Sequence, residues 1–175
     1  MSKSLHKLVL STVVAFTGTM LAGGVSAQEV PELLQPPASE KMVLQVHAQG
    51  DQIYTCKIDT PVPTWTLKGP DAKLFSVDGK SFGKHYAGPT WEAKDGSKVV
   101  GKVGATVASP DADSAPWLLV KVVSHGGKGV LSRVTSIQRL NTKGGKIPAT
   151  ECDEAAARQD KRVPYEADYI FFAPK

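Results

Sequence analysis

Beyond residue 27 the chain has no apolar run of the ~20 residues a membrane-spanning helix requires, no block of like charge, and only two cysteines. Two cysteines exclude a disulfide-dense scaffold. Arginine is confined to Arg133, Arg139, Arg158 and Arg162, so there is no basic run for gripping phosphates, and nucleic acid is not expected as a partner. With 41% hydrophobic residues and a mean hydropathy of −0.16, the composition excludes both a disordered chain and a polytopic membrane protein. Familiar catalytic signatures are missing too: there is no G-x-S-x-G elbow, phosphate loop, dinucleotide fingerprint or H-E-x-x-H pair.

What is present begins with an export signal. Lys3, His6 and Lys7 form a positive start, Leu8 to Leu21 an apolar stretch, and Val25-Ser26-Ala27 a small-residue cleavage site. Residues 1–27 are therefore expected to be removed, leaving Gln28 as the new N-terminus, no transmembrane segment, and a protein that is periplasmic or secreted. No cysteine stands at the cleavage site, which excludes the usual lipoprotein. Removal takes two of the 21 basic residues and none of the 17 acidic ones, lowering the net charge from +4 to +2. In an oxidising compartment Cys56 and Cys152 most simply pair. Closing a loop of roughly 97 residues is worth about 4–5 kcal/mol on the chain-entropy estimate.

The mature chain divides into a Pro-rich, extended and mostly solvated lead-in over residues 28–40 and one β-rich domain over residues 41–175. Period-two alternation marks Met42–Ala48 and Gln52–Lys57 as a hairpin about Gln49-Gly50-Asp51. Short strands follow at Trp65–Leu67, bounded by Gly69-Pro70-Asp71, and at Leu74–Val77. Asp78-Gly79 and Asp95-Gly96 read as type I′ turns. Trp91–Lys94, Val99–Val107, a continuously apolar Trp117–Val123 expected to be buried on both faces, Val130–Leu140 and Tyr165–Phe172 complete about nine strands. One helix is expected at Cys152–Arg162, with acids first and bases last. The fold class is mainly β, an antiparallel sandwich or barrel with one short helix.

His85-Tyr86-Ala87-Gly88-Pro89-Thr90-Trp91-Glu92 is the densest chemistry in the chain. His85, Tyr86, Trp91 and Glu92 could form a ligand-binding turn, since aromatic faces beside hydrogen-bonding groups suit a sugar. A Trp91 buried in the core and a plain Gly-Pro turn is the competing reading. His47, His85 and His125 are the weaker candidates for a metal site, which the fold would have to assemble because no two share a ligand spacing. No other cofactor is called for. Asp111-Ala112-Asp113-Ser114 lacks the Gly and Glu of a calcium loop, and Ser124–Gly129 reads as a hairpin connection. Glu166 and Asp168 alternate with Ile170 and Phe172 and should face solvent near a sheet edge.

Several stretches together resemble one family. They are Gln52-Ile53-Tyr54-Thr55-Cys56, the His85–Glu92 run with Asp95-Gly96-Ser97, and Pro116-Trp117-Leu118-Leu119. Ile137-Gln138-Arg139 through Thr142-Lys143-Gly144-Gly145 to Cys152 and Val163-Pro164-Tyr165 through Asp168-Tyr169 complete the set. These are similar to the exported bacterial and fungal domain-of-unknown-function family DUF3455, over about Met42 to Phe172. The resemblance implies an exported single domain and no particular reaction. Two functions follow as expectations. One is a non-catalytic extracytoplasmic binding or envelope-associated module, carbohydrate among its candidate ligands, with an envelope component or small extracellular ligand as partner. The alternative is a metal- or carboxylate-dependent enzyme acting on an extracellular substrate.

Overall fold

The computed structural model describes residues 29–175; the expected signal peptide lies outside them. Eight antiparallel strands form one sheet: β1 (Glu40–Lys57), β2 (Thr64–Ser76), β3 (Ser81–Tyr86), β4 (Thr90–Ala93), β5 (Lys98–Val107), β6 (Trp117–Gly126), β7 (Ser136–Gly144) and β8 (Asp160–Pro174). Each strand pairs with the next in sequence, and β8 pairs back to β1, so the sheet closes on itself. Among the described residues, closure leaves no strand with an unpaired edge for another chain to extend.

Eight strands replace the nine expected because two turns are not turns. Gln49-Gly50-Asp51 runs straight through β1. A Cβ on Gly50 would lie 2.2 Å from the Asp71 carbonyl oxygen, so this glycine permits close approach of β2 rather than reversing the chain. Gly69-Pro70-Asp71 is likewise inside β2, at a bulge opposite Ile53 and Tyr54. Residues 81–86, unassigned from sequence, add β3. At Asp78-Gly79 and Asp95-Gly96 the chain does reverse, but not by type I′ turns. Ser76 N–H donates to Lys80 O, and Ala93 N–H to Ser97 O, each closing a three-residue loop. Only the glycines have positive φ, 77° at Gly79 and 84° at Gly96, as in a type I turn followed by a left-handed residue.

Val46, Ala48, Leu74, Trp91, Val99, Val120, Ile137, Tyr169 and Phe171 fill the inside of the sheet. The expected strand at Val130–Leu140 starts only at Ser136. Before it, the chain turns Leu131 and Val134 into the core. That loop is pinned by the Asp95 carboxylate, which accepts from Val130 N–H, and by Ser97 Oγ, which accepts from Leu131 N–H. Most of the lead-in is exposed or half-buried, with Leu34 the exception. A 3-10 turn at Glu32–Leu34 seats Leu34 on the outer face of the sheet against Trp117, Leu140, Ile170 and Phe172, and Gln138 Nε2 donates to Leu34 O at 2.7 Å. This cap explains why β6 is buried on both faces only near its start: Val123, beyond it, is 60% exposed.

The expected helix at Cys152–Arg162 is absent. Residues 154–158 form a turn, and Asp160 already begins β8. Cys152 is bonded to Cys56, with Cα atoms 5.5 Å apart. Cys56 N–H donates to Gln159 O, and Arg158 N–H to Cys56 O. Anchored to β1 at both ends, the segment has no length left for the turns its alanines favour.

Two stability outcomes follow. Replacing Cys56 and Cys152 with Ala costs about 2–5 kcal/mol in urea unfolding; an unchanged midpoint contradicts the anchoring role. Gly96→Ala, with open space around its Cβ, costs only its left-handed strain, about 1 kcal/mol. Gly50→Ala forces β1 and β2 apart and lowers the melting temperature much more; equal effects contradict the close-approach role.

Candidate functional site

The β3–β4 hairpin sets His85 opposite Trp91, Lys84 opposite Glu92 and Tyr86 opposite Thr90. Strand alternation therefore divides the four residues singled out in this hairpin between two faces. His85 and Trp91 point inward, stacked with ring centroids 4.2 Å apart, and Tyr169 meets both rings edge-on. His85 Nδ1–H donates to Thr90 O at 2.8 Å, which leaves Nε2 as the lone-pair nitrogen. Burial drags the His85 pKa down to about 3, against the Thr90 hydrogen bond and with help from the Arg139 charge. Tyr86 and Glu92 point outward. Tyr86 Oη–H donates to Glu92 Oε2 at 2.7 Å, which lowers the Glu92 pKa and raises that of Tyr86. Lys84 lies 3.4 Å from Glu92 Oε1.

His47 stands on the outer face of β1, directly opposite Asp168 of β8. Its Nδ1–H donates to Asp168 Oδ1 at 2.9 Å, and its Nε2 lies 3.7 Å from Glu166 Oε2. Asn141 Nδ2 donates to the other Asp168 oxygen at 2.9 Å, and Gln49 Nε2 to Glu166 at 3.4 Å. Of these, His47, Gln49 and Asp168 border a cleft of about 500 Å³ whose other walls include Gln45, Phe75 and Val77. His125 is elsewhere, donating from Nε2 to Val134 O at 2.7 Å. The structure thus holds His47, His85 and His125 apart. Among the described residues no three His, Cys, Asp or Glu side chains are grouped to hold a metal ion. The alternation that turned Glu166 and Asp168 outward was readable in the sequence. Their meeting with His47 was not, because it depends on pairing across 121 residues.

A second polar group lies inside the sheet, and sequence reasoning missed it. Arg139 is on the inward face of β7, opposite Tyr169. It is 8% exposed and donates from Nε and Nη2 to Pro116 O. Tyr165 and Tyr169 hydroxyls are 3.4 Å apart, and Tyr54 Oη–H donates to Gly145 O at 2.8 Å. Burial raises the pKa of all three phenols, with the Arg139 charge pulling each the other way. Gln52 is 1% exposed, and neither its Oε1 nor its Nε2 has a hydrogen-bond partner. Alternation alone would have turned Gln52 and Arg139 inward, but a polar residue in that position reads as a break in the pattern.

The family described as Protein of unknown function (DUF3455) matches residues 37–173, and the chain belongs to it. No curated protein and no solved structure matches.

The buried His85 makes stability depend on pH. A histidine neutral when folded, but with a pKa near 6.5 when unfolded, contributes stability fully present above that unfolded value. That stability is lost as pH falls toward about 3. At pH 4.5 the loss is about 2–3 kcal/mol. Urea unfolding at pH 7.5 and 4.5 measures it. His85→Gln should lose less on acidification by that amount; an equal loss in both proteins rules out His85 as its source.

Proposed function

We propose that this protein is an exported binding module that takes a carbohydrate or another hydroxyl-rich envelope component in the cleft beside His47. The closed sheet serves as a barrel scaffold, and its outer face carries the site. The observation that carries this reading is the array on β1 and β8: an imidazole oriented by Asp168, which Asn141 in turn holds, with Glu166 and Gln49 alongside. Directional donors and acceptors of this kind beside the apolar Phe75 and Val77 suit the polar rims and apolar faces of a sugar. The leader read at residues 1–27 and the Cys56–Cys152 bond support an oxidising compartment outside the cytoplasm.

Binding is favoured over serine-type hydrolysis by the state of the hydroxyl on the cleft wall. Ser76 lines the cleft, but its Oγ–H is engaged by Asp78 and the Lys80 carbonyl. An activated nucleophile would instead be within hydrogen-bond reach of the histidine. On the β3–β4 hairpin the outward Tyr86 and Glu92 offer a second polar surface, with Trp91 and His85 behind it as packing.

Calorimetric titration of the mature protein with a glycan panel and envelope polysaccharide fractions tests the reading. The His47 side chain is 45% exposed, so His47→Ala should change stability by no more than about 0.5 kcal/mol. Loss of the imidazole that Asp168 orients should weaken binding at least about tenfold, the equivalent of ~1.4 kcal/mol. Tyr86→Ala should bind as wild type does. Unchanged affinity in His47→Ala, or no binding by any glycan or envelope fraction, overturns the proposal.

A further inference from the structure

The inside of the closed sheet is chemically lopsided. Toward the β6–β7 loop it is aliphatic and aromatic, filled by Leu74, Val99, Leu131, Val134 and Phe171. Toward the other end Arg139, Gln52, Tyr54, Tyr165 and Tyr169 share the interior. The members of this polar layer are contiguous. Arg139 is paired with Tyr169, whose hydroxyl meets that of Tyr165. Gly145 sits between Tyr165 and Gln52 so tightly that a Cβ there would lie 2.6 Å from Tyr165 Cβ and 3.1 Å from Gln52 Cγ.

Two features of the layer are unbalanced. The first is charge. Arg139 makes no ion pair among the described residues, and residues 1–28 contain no Asp or Glu that could supply one. A guanidinium taken from water and offered only the Pro116 carbonyl and the neutral Tyr169 hydroxyl still carries an uncompensated positive charge. The second is hydrogen bonding. Both polar atoms of the Gln52 carboxamide are buried without a partner, so their desolvation is not repaid. Trp91 Nε1, on the ring that Tyr169 meets edge-on, is one more buried donor with no acceptor. Among these orphaned atoms donors outnumber acceptors, and the unbalanced charge is positive.

We propose that the polar layer binds one small monovalent anion, a halide or a small carboxylate, between Arg139 and Gln52. The anion neutralises the guanidinium and accepts from the Gln52 amide and a tyrosine hydroxyl. It lies inside the sheet, so it is independent of the cleft beside His47 and of whatever that cleft binds.

The test uses the mature protein freed of small anions and brought to constant ionic strength with gluconate, which is too large for the interior. Exchange of gluconate for bromide, and in a parallel arm for formate, should raise the melting temperature by about 2–8 °C at saturation, since a ligand of the folded state alone stabilises it. A response to bromide identifies a halide site, and a response to formate alone identifies a carboxylate site. A crystal grown in the effective ion should show it beside Arg139 and Gln52, with bromide visible by anomalous scattering. Gln52→Leu should abolish the anion response, as should Arg139→Met if that variant folds. The proposal is overturned if neither ion raises the melting temperature above the gluconate control. It is equally overturned if the layer holds only water, or if Gln52→Leu is more stable than wild type in every salt.

Discussion

The ladder between β1 and β8 runs from Glu40 opposite Pro174 to Thr55 opposite Asp160 and joins the two ends of the folded chain. Without it the remaining strands would be a curled sheet with two bare edges, and the core would be open along one side. With it, the alternation of every strand acquires an unambiguous inside and outside. A one-residue slip would move Ala48 and Tyr169 outward and His47 and Asp168 inward. The register that buries the core is therefore the same one that sets His47 against Asp168. The cleft therefore depends on closure, with the β2–β3 loop adding Val77 and Gly79 to its wall.

Alternation made much of this legible in advance. The inward set Val46, Ala48, Tyr165, Ala167, Tyr169 and Phe171 follows from period two alone, and the Cys56–Cys152 bond follows from an even pair in a chain read as exported. What failed did so where local preference met a distant partner. Gly50 and Gly69-Pro70 look like turns to anyone reading neighbours only, yet both lie in long paired strands whose bend is set by the strand alongside. The three alanines after Cys152 favour a helix, but the disulfide and the hydrogen bonds to Cys56 hold the segment to a single turn. Leu34 looked solvated because the surface it covers is assembled from β6, β7 and β8, more than 80 residues downstream.

The candidate site shows the same divide. The His85–Glu92 stretch is concentrated chemistry in sequence, and the hairpin that places its residues side by side also separates them by face. His47, Asp168, Glu166 and Asn141 are scattered in sequence and meet through strand pairing. Arg139 and Gln52 were invisible for a different reason: an inward polar residue acquires meaning only when its neighbours are known to leave it unpaired.

Because the closing strand is the last of the eight in sequence, the order of events during synthesis is constrained. Until β8 has emerged, β1 has only one of its two partners and β7 has only β6, so a chain arrested before Asp160 presents two sticky margins. Contacts between the first and last strands also have a high sequence separation, which slows folding relative to neighbour-only pairings. A chain that cannot complete itself early stays extended for as long as its C-terminus is held back, and Cys56 must wait the same interval for Cys152. Under the export proposed above, such a delay would suit a chain threaded through a narrow channel before it folds, because closure waits until β8 has followed β1 to the far side.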